Sequence, residues 1–131
     1  MPYRMNPAQM KSVAALDGPA RYQHFIGKVA DWQEVWSLKN RGGFVALGAD
    51  DGRRCIPFWP HPDYAAALAV DSWKDCTPER IELSRFLDAW LPGMKDDGVF
   101  AAIFPTEKGK AVVVDPLDLK NHLAKENAQY E

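Results

Sequence analysis

A single α+β domain, with a small and mainly antiparallel sheet packed against about five helices, is the fold class the sequence predicts. Three observations point there. Apolar residues recur at i, i+3, i+4, i+7 and i+8 in two segments, Tyr22, Phe25, Ile26, Val29, Ala30 and Leu83, Phe86, Leu87, Trp90, Leu91, as one-sided helices require. Short β-branched and aromatic runs bounded by Gly-Gly and Asp-Gly pairs lie between and after those segments, as strands joined by tight turns do. The chain has 131 residues, 47% hydrophobic and 26% charged, which is enough for one core of ordinary composition.

Asn6-Pro7-Ala8-Gln9 opens a first helix, with Asn6 as cap, Pro7 at the first helical position and Gln9 placed to reach back. It runs to about Leu16 and stops at Asp17-Gly18. The second begins near Pro19 and carries the Tyr22 stripe, with His24 off that stripe and facing solvent. Trp32 and Trp36 bracket the start of a strand from Glu34 to Leu38, and Asn40-Arg41-Gly42-Gly43 turns the chain. Phe44 to Leu47 and Arg54 to Phe58 follow as strands joined through Asp50-Asp51-Gly52, so the three strands form an antiparallel meander. Pro57 puts its strand at an edge or at a bulge, because it has no N–H to donate.

Pro62 to about Val70 is helical, and Asp71 to Pro78 breaks the helix. A short strand at Ile81 leads into a third amphipathic helix from Glu82 to Leu91, ended by Pro92-Gly93. Val99 to Phe104 is apolar without alternation, the pattern of a strand covered on both faces. Pro105 to Lys110 turns it, Ala111 to Val114 returns beside it, and Asp115-Pro116-Leu117-Asp118 starts a last helix with Leu119 and Leu123 on its inner side. The organisation is thus a helical region at residues 1–31, a sheet-containing core at 32–124 and a polar tail at 125–131. No repeat or low-complexity linker divides it.

Composition narrows the function classes. The formal net charge is −2, and the closest basic groupings, Arg53-Arg54 and Lys108 with Lys110, are too small to track a phosphate backbone, so no nucleic acid is expected. No apolar run reaches bilayer length, and Met1 to Pro7 lacks the apolar region of a signal peptide, so no membrane is expected and the cytoplasm is the default location. Cys55 and Cys76 have neither the number nor the spacing of a disulfide framework or a zinc site. His24, His61 and His122 form no metal-binding pair with them or with one another, so no metal and no cofactor are expected. Asp50-Asp51 and Asp96-Asp97 stand next to glycine, where aspartate serves turns. No nucleophile elbow, P-loop or dinucleotide fingerprint occurs.

The stretch from Cys55 to Tyr64 is the most constrained in the chain. Pro57, Pro60 and Pro62 fix an extended aromatic corner between a strand and a helix. Trp59, His61, Tyr64 and, farther on, Trp73 are the candidate binding residues, since Trp and Tyr supply large contact area with a polar atom. The plainer reading is that Trp59 plugs the end of the core. A phosphate at the helix start near Pro62 is disfavoured, because Asp63 already complements the helix dipole and no glycine allows close approach.

Phe58-Trp59-Pro60 with Ala65, then Trp73, Ile81-Glu82-Leu83 to Phe86-Leu87, Trp90-Leu91, Asp97-Gly98, Val99 to Pro105, and Val112 to Pro116 before a leucine helix resemble the bacterial family known as domain of unknown function 2750. The resemblance covers about Gln23 to Leu123. Its motifs are structural aromatics and turns, and it implies no catalytic residue. The order of elements is also similar, at the level of fold, to SseB-type and bacterial immunity-protein modules, which implies protein binding. The sequence therefore favours a non-catalytic cytoplasmic module that contacts another protein through the aromatic corner and the Asp71 to Pro78 segment. Two alternatives stay open. One is a small-molecule-binding protein or small enzyme with its pocket at the Phe58 to Tyr64 corner, with His61 as its titrating group. The other is a homo-oligomer that hides Trp59 in a symmetric interface.

Overall fold

The computed structural model describes residues 7–48, 52–70, 73–106 and 111–130. Asn6, Asp50-Asp51, Asp71-Ser72 and the Lys108/Lys110 pair, with the expectations placed on them, lie outside the described residues. The chain is one small α+β domain.

Helix α1 (Pro7–Ala14) has no buried residue and packs against the core through half-buried Met10 and Val13. Helix α2 (Gly18–Trp32) follows, capped by Asp17, whose carboxylate accepts the Ala20 N–H at 2.9 Å, with Pro19 in its first turn. Tyr22, Phe25, Ile26, Val29 and Ala30 are all buried, as their spacing predicts. The helix ends where Gln33 adopts φ 61° and its N–H reaches the Val29 carbonyl at 2.8 Å, which turns the chain into β1 (Glu34–Asn40).

The predicted meander is divided between two sheets. In the first sheet β1 is central, flanked antiparallel by β2 (Gly43–Phe44) and by β5 (Thr77–Glu82), which pairs with it from Glu34↔Glu82 to Lys39↔Thr77. In the second, β3 (Leu47–Gly48) pairs antiparallel with β4 (Arg54–Phe58), β4 runs parallel to β6 (Phe100–Ile103), and β6 returns antiparallel into β7 (Val112–Val114). The run Phe44 to Leu47 is therefore not one strand. The Val45 N–H still reaches the Leu38 carbonyl at 3.0 Å, and the chain then leaves β1 for β4. Turn residues specify only sequence neighbours, whereas β4 and β6 meet across a long crossover whose pairing no local signal encodes.

Pro57 sits in a strand with neighbours on both sides, but its missing N–H falls beyond the short β3, which pairs only at Cys55 and Arg54. There the Pro57 carbonyl accepts the Ser37 hydroxyl at 2.7 Å, so the edge is local and a side chain from the other sheet closes it. On the other side Ala101, Ala102 and Ile103 are fully buried, as the apolar run in β6 predicts.

The predicted third amphipathic helix does not stop at Pro92-Gly93. Helix α4 (Leu83–Arg85) passes through a π-helical turn (Phe86–Trp90) into α5 (Leu91–Asp97). The Leu91 N–H donates to the Phe86 carbonyl, five residues back, and this widened turn accommodates a proline that can neither donate nor tolerate a close carbonyl behind it. Gly98, at φ 71°, ends the helix, its N–H on the Lys95 carbonyl at 3.2 Å and the Val99 N–H on that of Met94 at 2.9 Å. Helix α3 (Pro62–Ala67) is shorter than predicted, and α6 (Pro116–Asn127) reaches into the polar tail, where Gln33 Nε2 donates to Asn127 Oδ1 at 2.7 Å. Asp115 caps α6 through the Leu117 N–H at 2.8 Å and pairs with Lys95 at 2.6 Å, tying α5 to α6. Tyr22 and His122 link α2 to α6, with 2.5 Å between the phenol oxygen and Nδ1.

Two glycines give opposite expected outcomes. Gly98→Ala forces a Cβ into the left-handed region and lowers stability by about 1 kcal/mol. Gly93→Ala lies within α5, where an added Cβ meets nothing within 4 Å, and raises stability by about 0.5–1 kcal/mol. Urea unfolding of the two variants beside the wild type checks both signs.

Candidate functional site

The aromatic corner is a joint inside the protein. Trp59 is fully buried, its backbone pairing with Trp36 in both directions at 2.9 and 2.8 Å, and its indole N–H donates to the Pro105 carbonyl at 2.8 Å. His61, 2% exposed, caps α3: its Nδ1 accepts the Asp63 N–H at 3.1 Å. That role leaves no proton on Nδ1, so the 3.6 Å approach of the Asp63 carboxylate is not an ion pair while the cap holds. The His61 ring meets Trp32 and Tyr64 edge to face, with centroids 5.7 and 6.4 Å away. Trp73 is half-buried in a turn before β5 and packs against the core from its edge. Of the four predicted site residues, Trp59, His61 and Tyr64 are thus brought together as core, and Trp73 is not among them. One chain already covers Trp59 completely, without a symmetric partner.

What the corner does create is a cleft beside it. Tyr64 and Leu68, on α3 and just after it, form one wall together with Ala67, and Met10, Ala14 and Ala15 of the α1 region form the other. Phe104 and Pro105 close the floor, with Thr106 and Lys11 at its polar margin. The space between these walls is about 410 Å³, within the range of small-molecule sites. Tyr64 is the one predicted site residue that lines it.

The floor is built under backbone strain. Phe104 has φ 55°, a left-handed conformation that costs a bulky residue of order 1–3 kcal/mol. Three contacts hold it there. Its N–H donates to the Phe58 carbonyl at 2.8 Å, its ring packs on Tyr64 with centroids 4.7 Å apart, and its carbonyl accepts Nε of the buried Arg21 at 3.2 Å. Arg21 Nη1 donates as well to the Leu16 carbonyl at 2.6 Å, so one guanidinium ties the end of the α1 segment to the floor. Sequence reading gave Arg21 no role, although its position four before Phe25 sets it beside the core stripe.

His24 corrects another expectation. It is half-buried rather than solvent-facing, its ring lies 6.2 Å from Phe104, and its Nε2 is buried without a hydrogen-bond partner among the described residues. Burial first, and Lys28 second, hold its pKa below 6.5. Tyr22 moves the other way: burial, then the Asp118 charge, push its phenol up to about 12, so its bond to His122 is a tether between helices and not an acid–base pair poised near neutrality.

Among the described residues no three His, Cys, Asp or Glu side chains gather in a way that could hold a metal ion. The start of α3 is occupied by His61 and Asp63. Cys55 and Cys76 are buried thiols, Asp96 and Asp97 end α5, and no described helix is long and apolar enough to cross a membrane.

A family model described as "Protein of unknown function (DUF2750)" matches residues 22–123. This span contains the corner and the cleft floor, and α1 precedes it. No curated protein matches the chain.

Trp59→Ala removes a fully buried indole and leaves the Pro105 carbonyl without its donor, so it lowers stability by about 3–5 kcal/mol in urea unfolding. The pH dependence separates two groups. His24 is harder to protonate folded than unfolded, so stability is complete above about pH 6.5 and falls as pH drops below it; His24→Gln flattens that part of the curve. Hydrogen bonds from Lys95 and then from the Leu117 N–H hold the Asp115 carboxyl below 3.8, so its contribution is complete above that value and lost below it, and Asp115→Asn removes only this lower limb. Thermal unfolding between pH 3 and pH 8, on the order of those two windows, reads both.

Proposed function

The chain belongs to the DUF2750 family of proteins of unknown function, and we propose that it is a non-catalytic binding protein whose ligand occupies the cleft between α1 and α3. One observation carries this reading. Apolar side chains from three segments line a cleft of about 410 Å³ that opens to solvent, the concave and mostly apolar form that small-molecule sites take. Such a cleft forgoes the dispersion contacts that closing it would supply, and a bound apolar group restores them.

The residues around the cleft fit binding better than catalysis. Among the described residues its lining offers two hydroxyls and one ammonium, and no carboxylate, imidazole or thiol to move a proton at neutral pH. His61 and His24 stand behind the lining, against Tyr64 and Phe104, where they shape it without reaching into it. A protein partner gripping the corner itself would have to draw Trp59 and His61 out of the core at a cost of several kcal/mol, so recognition is assigned to the cleft.

The test is calorimetric titration with prodan, a neutral apolar fluorophore of suitable size, against the wild type and the cleft-filling variants Ala14→Trp and Leu68→Trp. The wild type binds at micromolar concentration, with an emission shift to the blue. Both variants, folded by circular dichroism, lose at least tenfold in affinity. A wild type that does not bind, or variants that bind as it does, would remove the cleft as the site.

A further inference from the structure

We infer that the ligand of the cleft is a slender amphiphile with a carboxylate head, its apolar tail between α1 and α3 and its head at Lys11. This rests on the cleft being the binding site and adds the chemical class of what enters it.

The volume selects the tail. A cleft of about 410 Å³ is of small-molecule size and takes an alkyl chain of moderate length. The walls favour methylenes, since Met10, Ala14, Leu68 and Phe104 present apolar surface along the length of the space.

The charge at the margin selects the head. Among the described residues of the lining Lys11 is the only charged one, and it is exposed, in the last turn of α1. It has no ion-pair partner among the described residues, in contrast to Lys95 with Asp115 and Arg80 with Glu34 and Glu82. An ammonium on a long methylene stem can lie along the apolar wall and hold its charge at the water boundary, where the head of a bound amphiphile comes to rest. A cationic head would be repelled there, and a neutral one would gain nothing from the charge. The floor lies within the span 22–123 matched to the family, whereas Lys11, with Met10 and Ala14 of the wall, lies before it. Lysine near a helix C-terminus also complements the helix dipole, but that role affects stability and not the choice among ligands.

The experiment titrates full-length protein with decanoate, 1-decanol and decylammonium at pH 8, below their aggregation concentrations, using wild type, Lys11→Gln and Lys11→Glu. Wild type is expected to bind decanoate about three- to tenfold more tightly than decanol, with decylammonium weakest, the modest ratio reflecting a solvated ion pair. Lys11→Gln brings decanoate and decanol together, and Lys11→Glu reverses the order in favour of decylammonium. Octanoate binds wild type roughly tenfold more weakly than decanoate, because two methylenes fewer are buried. Equal binding of decanoate and decanol by wild type, or a carboxylate preference that survives Lys11→Glu, overturns the inference and leaves the cleft as an apolar site. Failure of all three ligands and of prodan to bind folded wild type overturns the cleft as well.

Discussion

Everything in this domain hangs from the reciprocal backbone pairing of Trp36 with Trp59. Trp36 belongs to β1 of the first sheet, and Trp59 follows β4 of the second, so these two hydrogen bonds, with the Ser37 hydroxyl on the Pro57 carbonyl, join the sheets. The indole of Trp59 then reaches the Pro105 carbonyl beyond β6, which fixes the far end of the parallel pair. Three prolines hold the corner extended, so the joint loses little conformational freedom on folding, and the fully buried indole supplies the apolar energy that keeps it closed.

From that joint the cleft follows as a geometric consequence. The chain leaves Trp59 through His61, which caps α3 and so aims Tyr64 toward Phe104. Phe104 is held left-handed by the Phe58 carbonyl, by Arg21 and by Tyr64, and its ring becomes a floor where an extended strand would have carried it past. Strain of this kind persists only where several contacts over-determine it. Arg21 serves two ends at once, because the same guanidinium that holds the floor holds the Leu16 carbonyl, and α1 is set opposite α3. Close packing below and an open cleft above are two results of one set of hydrogen bonds.

The parts of the site differ in how far they can be read in advance. Tyr64 stood out as an aromatic of the corner beside Trp59 and His61, but nothing in the sequence set it opposite α1. Trp59 and His61 were legible as special, but whether they faced water depended on whether β1 came to cover them, and residues 23 apart in sequence meet here through a pairing that neither segment announces. Met10, Ala14 and Leu68 show only unremarkable helical apolarity. Phe104 reads as the last residue of a buried strand, and its positive φ has no sequence signature, because it is imposed by Arg21 and Phe58 from other segments.

The sequence by itself determined the α+β class, the stripes of α2 and of the Leu83 to Leu91 segment, the cap at Asp115, the buried β6 and its return through β7. Each of these is written in neighbours a few residues apart, where side-chain period, proline and glycine act directly on φ and ψ. Tertiary structure alone decided the division into two sheets, the parallel pairing of β4 with β6, the passage of the helix through Pro92, the half-burial of His24, and the cleft. These depend on contacts between distant segments. There the free energy of covering Trp59 and Phe104 outweighs local preference, so a turn signal cannot choose a strand's sheet and a proline does not end its helix.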